Sequence, residues 1–205
     1  MASSRLSVKR TARETRVLRI IGGTWRGRRW RFAADAEVRP TPDRIRETLF
    51  NWLNTRIAGA RCLDLFAGSG ALGLEALSRG AAHVTFIERH QASAAALQSV
   101  LREWLPAGSS RAQVTSLDAM RFLARPPVTY DCVFLDPPFA TSLAAEALTT
   151  LDAGWLAPRA LIYLEQAARA ALPALPEGWT VLRTKRAGEV GYHLLERSAT
   201  GAGSG

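Results

Sequence analysis

The 205-residue chain alternates short apolar runs with longer amphipathic ones. From residue 61 the alternation is regular. "RCLDLFA" (61–67), "HVTFIE" (83–88), "AQVTSLD" (112–118), "DCVFLD" (131–136) and "ALIYLE" (160–165) have the length and β-branched or aromatic content of strands. "GALGLEALSRG", "QASAAALQSVLREWL" and "TSLAAEALTTLDAG" read as helices, ended by Gly80, Pro106 and Gly154. "WTVLRTKR" and "VGYHLLER" flank "AGE" as a terminal antiparallel pair. Seven strands with intervening helices predict an α/β fold, a mostly parallel sheet covered on both faces.

Two elements precede this body. "RVLRIIGG" (16–23) and "TWRGRRWRF" (24–32) suggest a β-hairpin turning at Gly22-Gly23. The imperfect alternation of the second run does not suggest a core strand. In "RPTPDRIRETLFNWLN" (39–54), Thr41 is the expected N-cap and Pro42 suits the first helical position. Ile45, Leu49, Trp52 and Leu53 form its apolar stripe.

Charge sharpens the picture. Residues 1–31 hold ten basic side chains and one acid, so the whole net charge of +9 lies at the N-terminal end. This asymmetry points to a polyanionic partner. Arginines interleaved with aromatics suit phosphate contacts and base stacking, which makes Arg19, Trp25, Arg26, Arg28, Arg29 and Arg31 candidate RNA-binding residues. Cys62 and Cys132 lack metal-ligand spacing and read as reduced buried thiols of a cytoplasmic protein. No apolar run is long enough for a membrane span, and no secretory leader is expected.

"LDLFAGSGALG" (63–73) is a glycine loop between a strand and a helix, with Gly68, Gly70 and Gly73 spaced G-x-G-x-x-G. Alone it would equally suit a nicotinamide cofactor. Asp64, however, would repel a pyrophosphate and could bind an ammonium. Glu88 ends the next strand, where a ribose acceptor belongs. Asp118 follows the third, where it could accept from an adenine amino group. "DPPF" (136–139) ends the fourth. Prolines there fix the backbone and donate no hydrogen bond. Asp136 and a freed carbonyl at Pro137 could hold an exocyclic amino group, Pro138 would stiffen the turn, and Phe139 could stack on the ring.

"DLFAGSGALG" and "DPPF" resemble the cofactor loop and catalytic motif of class I S-adenosylmethionine-dependent methyltransferases acting on planar amino groups. "RIIGGTWRGR", "RPTPDRIRETLFNWL", "CLDLFAGSGALGLEALSRGA" and "FLDPPF", in this order, resemble the RsmD family. The resemblance implies a Rossmann-like fold and methylation of a guanine N2 in 16S ribosomal RNA, within the 30S subunit or an assembly intermediate. It implies S-adenosylmethionine as cofactor, S-adenosylhomocysteine as product, no metal, and a monomer. Asp136, Pro137, Pro138 and Phe139 would be catalytic. Asp64, Phe66, Ala67, Gly68, Ser69, Gly70, Gly73, Glu88 and Asp118 would hold the cofactor, with Arg39 and Thr41 beside it. The expected organisation is a disordered basic tail (1–15), the hairpin (16–34), a methyltransferase domain (35–198) and a disordered end (199–205). The alternatives are a DNA adenine-N6 methyltransferase, a protein-glutamine methyltransferase and, from other classes, a dehydrogenase or a non-catalytic RNA-binding Rossmann-like module. Neither of the last two accounts for "DPPF".

Overall fold

The computed structural model describes residues 14–34, 41–139 and 141–198. The expected tails and Arg39 therefore lie outside the described residues, apart from Glu14 and Thr15. The hairpin comprises β1 (Glu14–Arg19) and β2 (Arg29–Ala34). Helix α1 (Asp43–Trp52) leads into β3 (Arg61–Asp64), α2 (Ala71–Ser78), β4 (His83–Glu88), α3 (Gln91–Trp104) and β5 (Ala112–Ser116). A short helix, α4 (Ala119–Leu123), then precedes β6 (Tyr130–Leu135), α5 (Leu143–Asp152), β7 (Leu156–Ala167), β8 (Trp179–Ala187) and β9 (Val190–Arg197).

The main sheet has the order β5-β4-β3-β6-β7-β9-β8. Strands β3 to β7 are parallel, and β9 runs antiparallel to both of its neighbours. The order reverses between β3 and β6, which opens a crevice at their carboxyl ends, where open α/β sheets bind ligands. Alternate residues feed two cores. Cys62, Phe134 and Tyr163 join α1, α2, α3 and the hairpin on one face. Leu63, Leu135 and Leu164 join α4 and α5 on the other. The expected seven-stranded sheet with its terminal antiparallel pair is present, together with the separate hairpin.

Three local expectations are corrected. First, the hairpin does not turn at Gly22-Gly23. Its strands pair Arg19 with Arg29, leaving residues 20–28 as a loop seated on the end of α2. Thr24 N–H donates to the Ser78 carbonyl at 2.7 Å and Trp25 N–H to Ser78 Oγ at 2.9 Å. Gly23 has φ +76°, and a Cβ there would lie 1.9 Å from the Ser78 carbonyl oxygen. The glycines thus serve close docking rather than a tight turn. Second, one side of the hairpin is core: Leu18, Ile20, Trp25 and Phe32 are buried. Third, α1 is preceded by Pro42 as N-cap, without a side-chain cap, and Thr41 is turned to other partners. In α1 Phe50 joins the buried stripe, while Trp52 is half-buried and stacks on Tyr192.

Candidate active site

At or near the carboxyl ends of β3, β6 and β7 stands an acid, each on the same face of the sheet. Asp64 follows Cys62 by two residues, Asp136 follows Phe134, and Glu165 follows Tyr163, all on the α1 side. Leu135 pairs with Leu164, so continuing that register sets Asp136 beside Glu165 on adjacent strands. Glu88 closes β4. None of the ion pairs formed among the described residues involves any of these four acids.

Asp64 is 3% exposed, and its Oδ2 accepts from Gly73 N–H at 3.0 Å. Burial raises its pKa from 3.8 to about 7, against the lowering effect of that hydrogen bond, and the nearby Glu88 charge adds to the rise. Asp136 is held well above the usual carboxylate range by desolvation, then by the charges of Glu165 and Asp64. Glu165, 2% exposed, is raised by burial, while hydrogen bonds from Tyr163 and Thr41 pull it down. The site is an excess of desolvated negative charge, which a cationic ligand would relieve.

The glycine loop leaves β3 and is tied to its neighbours. Leu65 N–H donates to the Phe134 carbonyl, Ala67 N–H to the Ile87 carbonyl, and Gly68 N–H to Glu88 Oε2 at 2.8 Å. Glu88 Oε1 accepts from His90 N–H at 2.7 Å. Phe66 is half-buried and Ser69 buried within the loop. A Cβ on Gly73 would lie 2.1 Å from Phe86 Cε1, so the third glycine lets α2 pack against β4.

Beyond β6, Pro137 is buried, Pro138 exposed and Phe139 46% exposed. The Pro138 carbonyl accepts from Thr141 Oγ1, whereas no described residue donates to the Pro137 carbonyl or the Asp136 carboxylate. A 140 Å³ cavity lies here, lined by Pro137, Phe139, Ser142, Glu165, Gln166 and Pro173 among others. A larger hollow of 260 Å³, lined by Arg56, Asp131 and Arg159, sits at the opposite ends of the strands, away from the acids.

Other expected residues are placed differently. Asp118 caps α4, its Oδ1 accepting from Met120 and Arg121 N–H, so its carboxylate already has local work. Thr41 is buried and reaches Glu165, which brings the start of α1 to the site. Trp25 is 6% exposed and packs edge-on against Trp104 at 5.3 Å, which corrects its expected role as a stacking platform for bases. Arg28 lies over the same Trp104 ring. Arg19, Arg26, Arg28, Arg29 and Arg31 are exposed. Arg19, Arg29 and Arg31 share the outward side of the hairpin, because Leu18, Trp30 and Phe32 turn inward.

Two sets of residues escaped the sequence reading. Glu165 closes the apolar run "ALIYLE" as Glu88 closes "HVTFIE" and Asp136 closes "DCVFLD", and that shared signal could have found it. Glu75 is a lone acid within an otherwise apolar helix. Fully buried, it accepts from Ile21 N–H, Gly22 N–H, Arg46 Nη1 and Arg79 Nε. Arg46, also fully buried, donates to the Arg19 and Thr41 carbonyls. This pair clamps the hairpin, α1 and α2 together.

A switch-point glycine loop, a strand-end acid beneath it and an Asp-Pro-Pro-Phe turn on the neighbouring strand, carried on this strand order, define a class I methyltransferase. The class takes its methyl group from S-adenosylmethionine. The residues fit that ligand: Asp64 for its ammonium, the 66–70 loop for its backbone-sized approach, and Glu88 for ribose hydroxyls. Residues 18–196 match the family described as "Conserved hypothetical protein 95", and the chain belongs to it; this is the RsmD family that the motifs resemble. The chain is 48% identical over 185 residues to "Ribosomal RNA small subunit methyltransferase D" of Escherichia coli strain K12, covering 90% of this chain and 92% of the relative. It is 45% identical over 182 residues to the protein of the same name from Haemophilus influenzae, covering 87% and 93%. The solved structure of Escherichia coli yhhF superposes with a TM-score of 0.80 at 48% identity, covering 90% of this chain and 99% of that one.

Proposed function

We propose that this protein methylates the exocyclic N2 amino group of a guanine in small-subunit (16S) ribosomal RNA. The observation that carries the reading is the Asp136 carboxylate, without a donor among the described residues, beside a proline carbonyl and an exposed Phe139. The names of the relatives supply the RNA.

S-adenosylmethionine, when bound, supplies an electrophilic methyl group, so the chain has only to prepare the nucleophile. The N2 lone pair of guanine is delocalised into the ring. Asp136 and the Pro137 carbonyl accept its two N–H bonds and aim the lone pair along the line of attack, a positioning effect worth several kcal/mol. Positive charge grows on N2 as the bond forms, so the carboxylate binds the transition state more tightly than the ground state. Asp136 is then placed to take the proton at its Oδ atoms. Phe139 stacks on the base, which must leave its own stack to arrive. The hairpin holds flanking RNA through Arg19, Arg29 and Arg31, while the body from α1 onward performs the chemistry. We place the enzyme in the cytoplasm as a monomer acting on the subunit or its assembly intermediate.

The test is labelled methyl transfer offered to unmodified 16S RNA, to small subunits carrying it, and to duplex DNA, with the product nucleoside identified. N2-methylguanosine from either RNA substrate is expected. N6-methyladenine from DNA would replace the reading with its main alternative, and absence of transfer to all three would make the chain a binding module.

A further inference from the structure

Asp136 accounts for one donor group of the base, yet it has a neighbour that the proposed reaction does not use. Glu165 is buried within β7, two residues before its end, next to Asp136 in the continued register and on the same face. It lines the cavity that also touches Pro137 and Phe139. Its Oε1 accepts from Tyr163 Oη at 2.8 Å, and the buried Thr41 is close enough to hold its pKa down. The Tyr163 bond fixes the carboxylate's orientation and still leaves acceptor capacity, since a carboxylate has about four lone-pair sites. Neighbouring strands lie about 4.8 Å apart, so two acids side by side on them present paired acceptors in one direction.

That arrangement has a chemical complement. Guanine carries two adjacent donors on its Watson–Crick edge, N1–H and the N2 amino group. Adenine offers an amino group beside a bare N1 lone pair. When both are ionised, a pair of carboxylates welcomes the first pattern and repels the second. We propose that Glu165 reads guanine N1–H while Asp136 holds N2, making Glu165 the residue that selects guanine over other amino-bearing bases. The inference rests on the guanine-N2 reading above. It also explains why a third acid is kept in a site where burial already disfavours two.

The structural alternative is that Glu165 only anchors Thr41 and Tyr163. Both are tested by comparing 16S RNA carrying guanine at the methylated position with RNA carrying 2-aminopurine there, which keeps the N2 amino group but replaces N1–H with a lone pair. The wild-type enzyme should prefer guanine by about 100-fold or more in kcat/KM, because the analogue leaves a buried carboxylate facing a lone pair. Glu165→Gln, whose amide can rotate to donate to N1, should shrink that ratio at least tenfold and raise activity on 2-aminopurine. A purely anchoring role would lower both activities together and leave the ratio unchanged, which would overturn the proposal. If Glu165→Gln does not fold, the wild-type ratio decides: comparable rates on the two RNAs would refute N1–H reading. Failure of the underlying reading is distinct, since wild type would then produce no N2-methylguanosine from the unmodified RNA.

Discussion

At the residue scale, the site is governed by what burial does to carboxylates. Asp64 and Glu165 resist ionisation because water has been removed, and Asp136, half-buried, because desolvation is joined by the charges of Glu165 and Asp64; no cation among the described residues offsets either effect. The consequence for Asp64 has a definite sign. Its folded pKa, about 7, lies above the ordinary 3.8, so its contribution to stability is complete below the ordinary value and is lost as pH rises through 7. The ligand-free protein should melt at progressively lower temperature as pH is raised from about 5 to about 8, and Asp64→Asn should flatten part of that slope. S-adenosylmethionine affinity should change oppositely, increasing over the same range, as titration calorimetry would detect. Asp136→Ala should reduce methyl transfer by about 100-fold or more, because a positioned acceptor of this kind supplies several kcal/mol, while cofactor affinity stays within a few-fold. Near-normal turnover in that variant would remove Asp136 from the mechanism.

At the element scale, the hairpin is held by a buried polar clamp rather than by a tight turn. Glu75 binds two hairpin N–H groups and two arginines at once, and each partner would be left wanting if it were removed. Glu75→Ala should cost about 3–5 kcal/mol in denaturant unfolding, the usual penalty for breaking a buried ion pair. It should also expose the loop of residues 20–28 to limited proteolysis before the body of the protein unfolds. Intact protection of that loop would show that the apolar packing of Trp25 on Trp104 holds it unaided. The sequence made this hairpin legible as two β-prone runs but not its docking. Its two glycines suit a turn equally well, and only the nearness of Ser78, some 55 positions along the chain, assigns them to close packing. Helix α4 went unseen for a related reason: five residues are too few to show a helical period, and the capping role of Asp118 was not read.

At the scale of the whole molecule, the N-terminal charge becomes a surface. The hairpin loop sits against Ser78 and Trp104, at the C-terminal ends of α2 and α3, whereas the glycine loop precedes α2. The loop of the hairpin is therefore seated at the end of these helices that lies away from the glycine loop. Replacing Arg19, Arg29 and Arg31 by Ala should weaken 16S RNA binding and reduce its salt dependence by roughly 0.7–0.9 in slope for each phosphate that is no longer neutralised. Turnover at saturating RNA should change little. A slope that does not move would shift the RNA to another face.

The division between sequence and tertiary structure follows from the range of the forces involved. Alternation of strand and helix, the strand-ending acids, the glycine spacing and the charge asymmetry are local or periodic signals, and the residues alone carried them. They determined the α/β class and set the expectations placed on the glycine loop and on Asp136. Strand order, by contrast, is decided by which apolar faces meet. Only that order sets β7 beside β6 and so turns Glu165 from a strand-end acid into the neighbour of Asp136. Docking of the hairpin loop on α2 and α3 likewise buries Trp25, whose surroundings of arginine had suggested a base-stacking surface. Composition reports what a side chain is able to do. Burial, which depends on contacts between residues far apart in the chain, decides which of those things it is free to do.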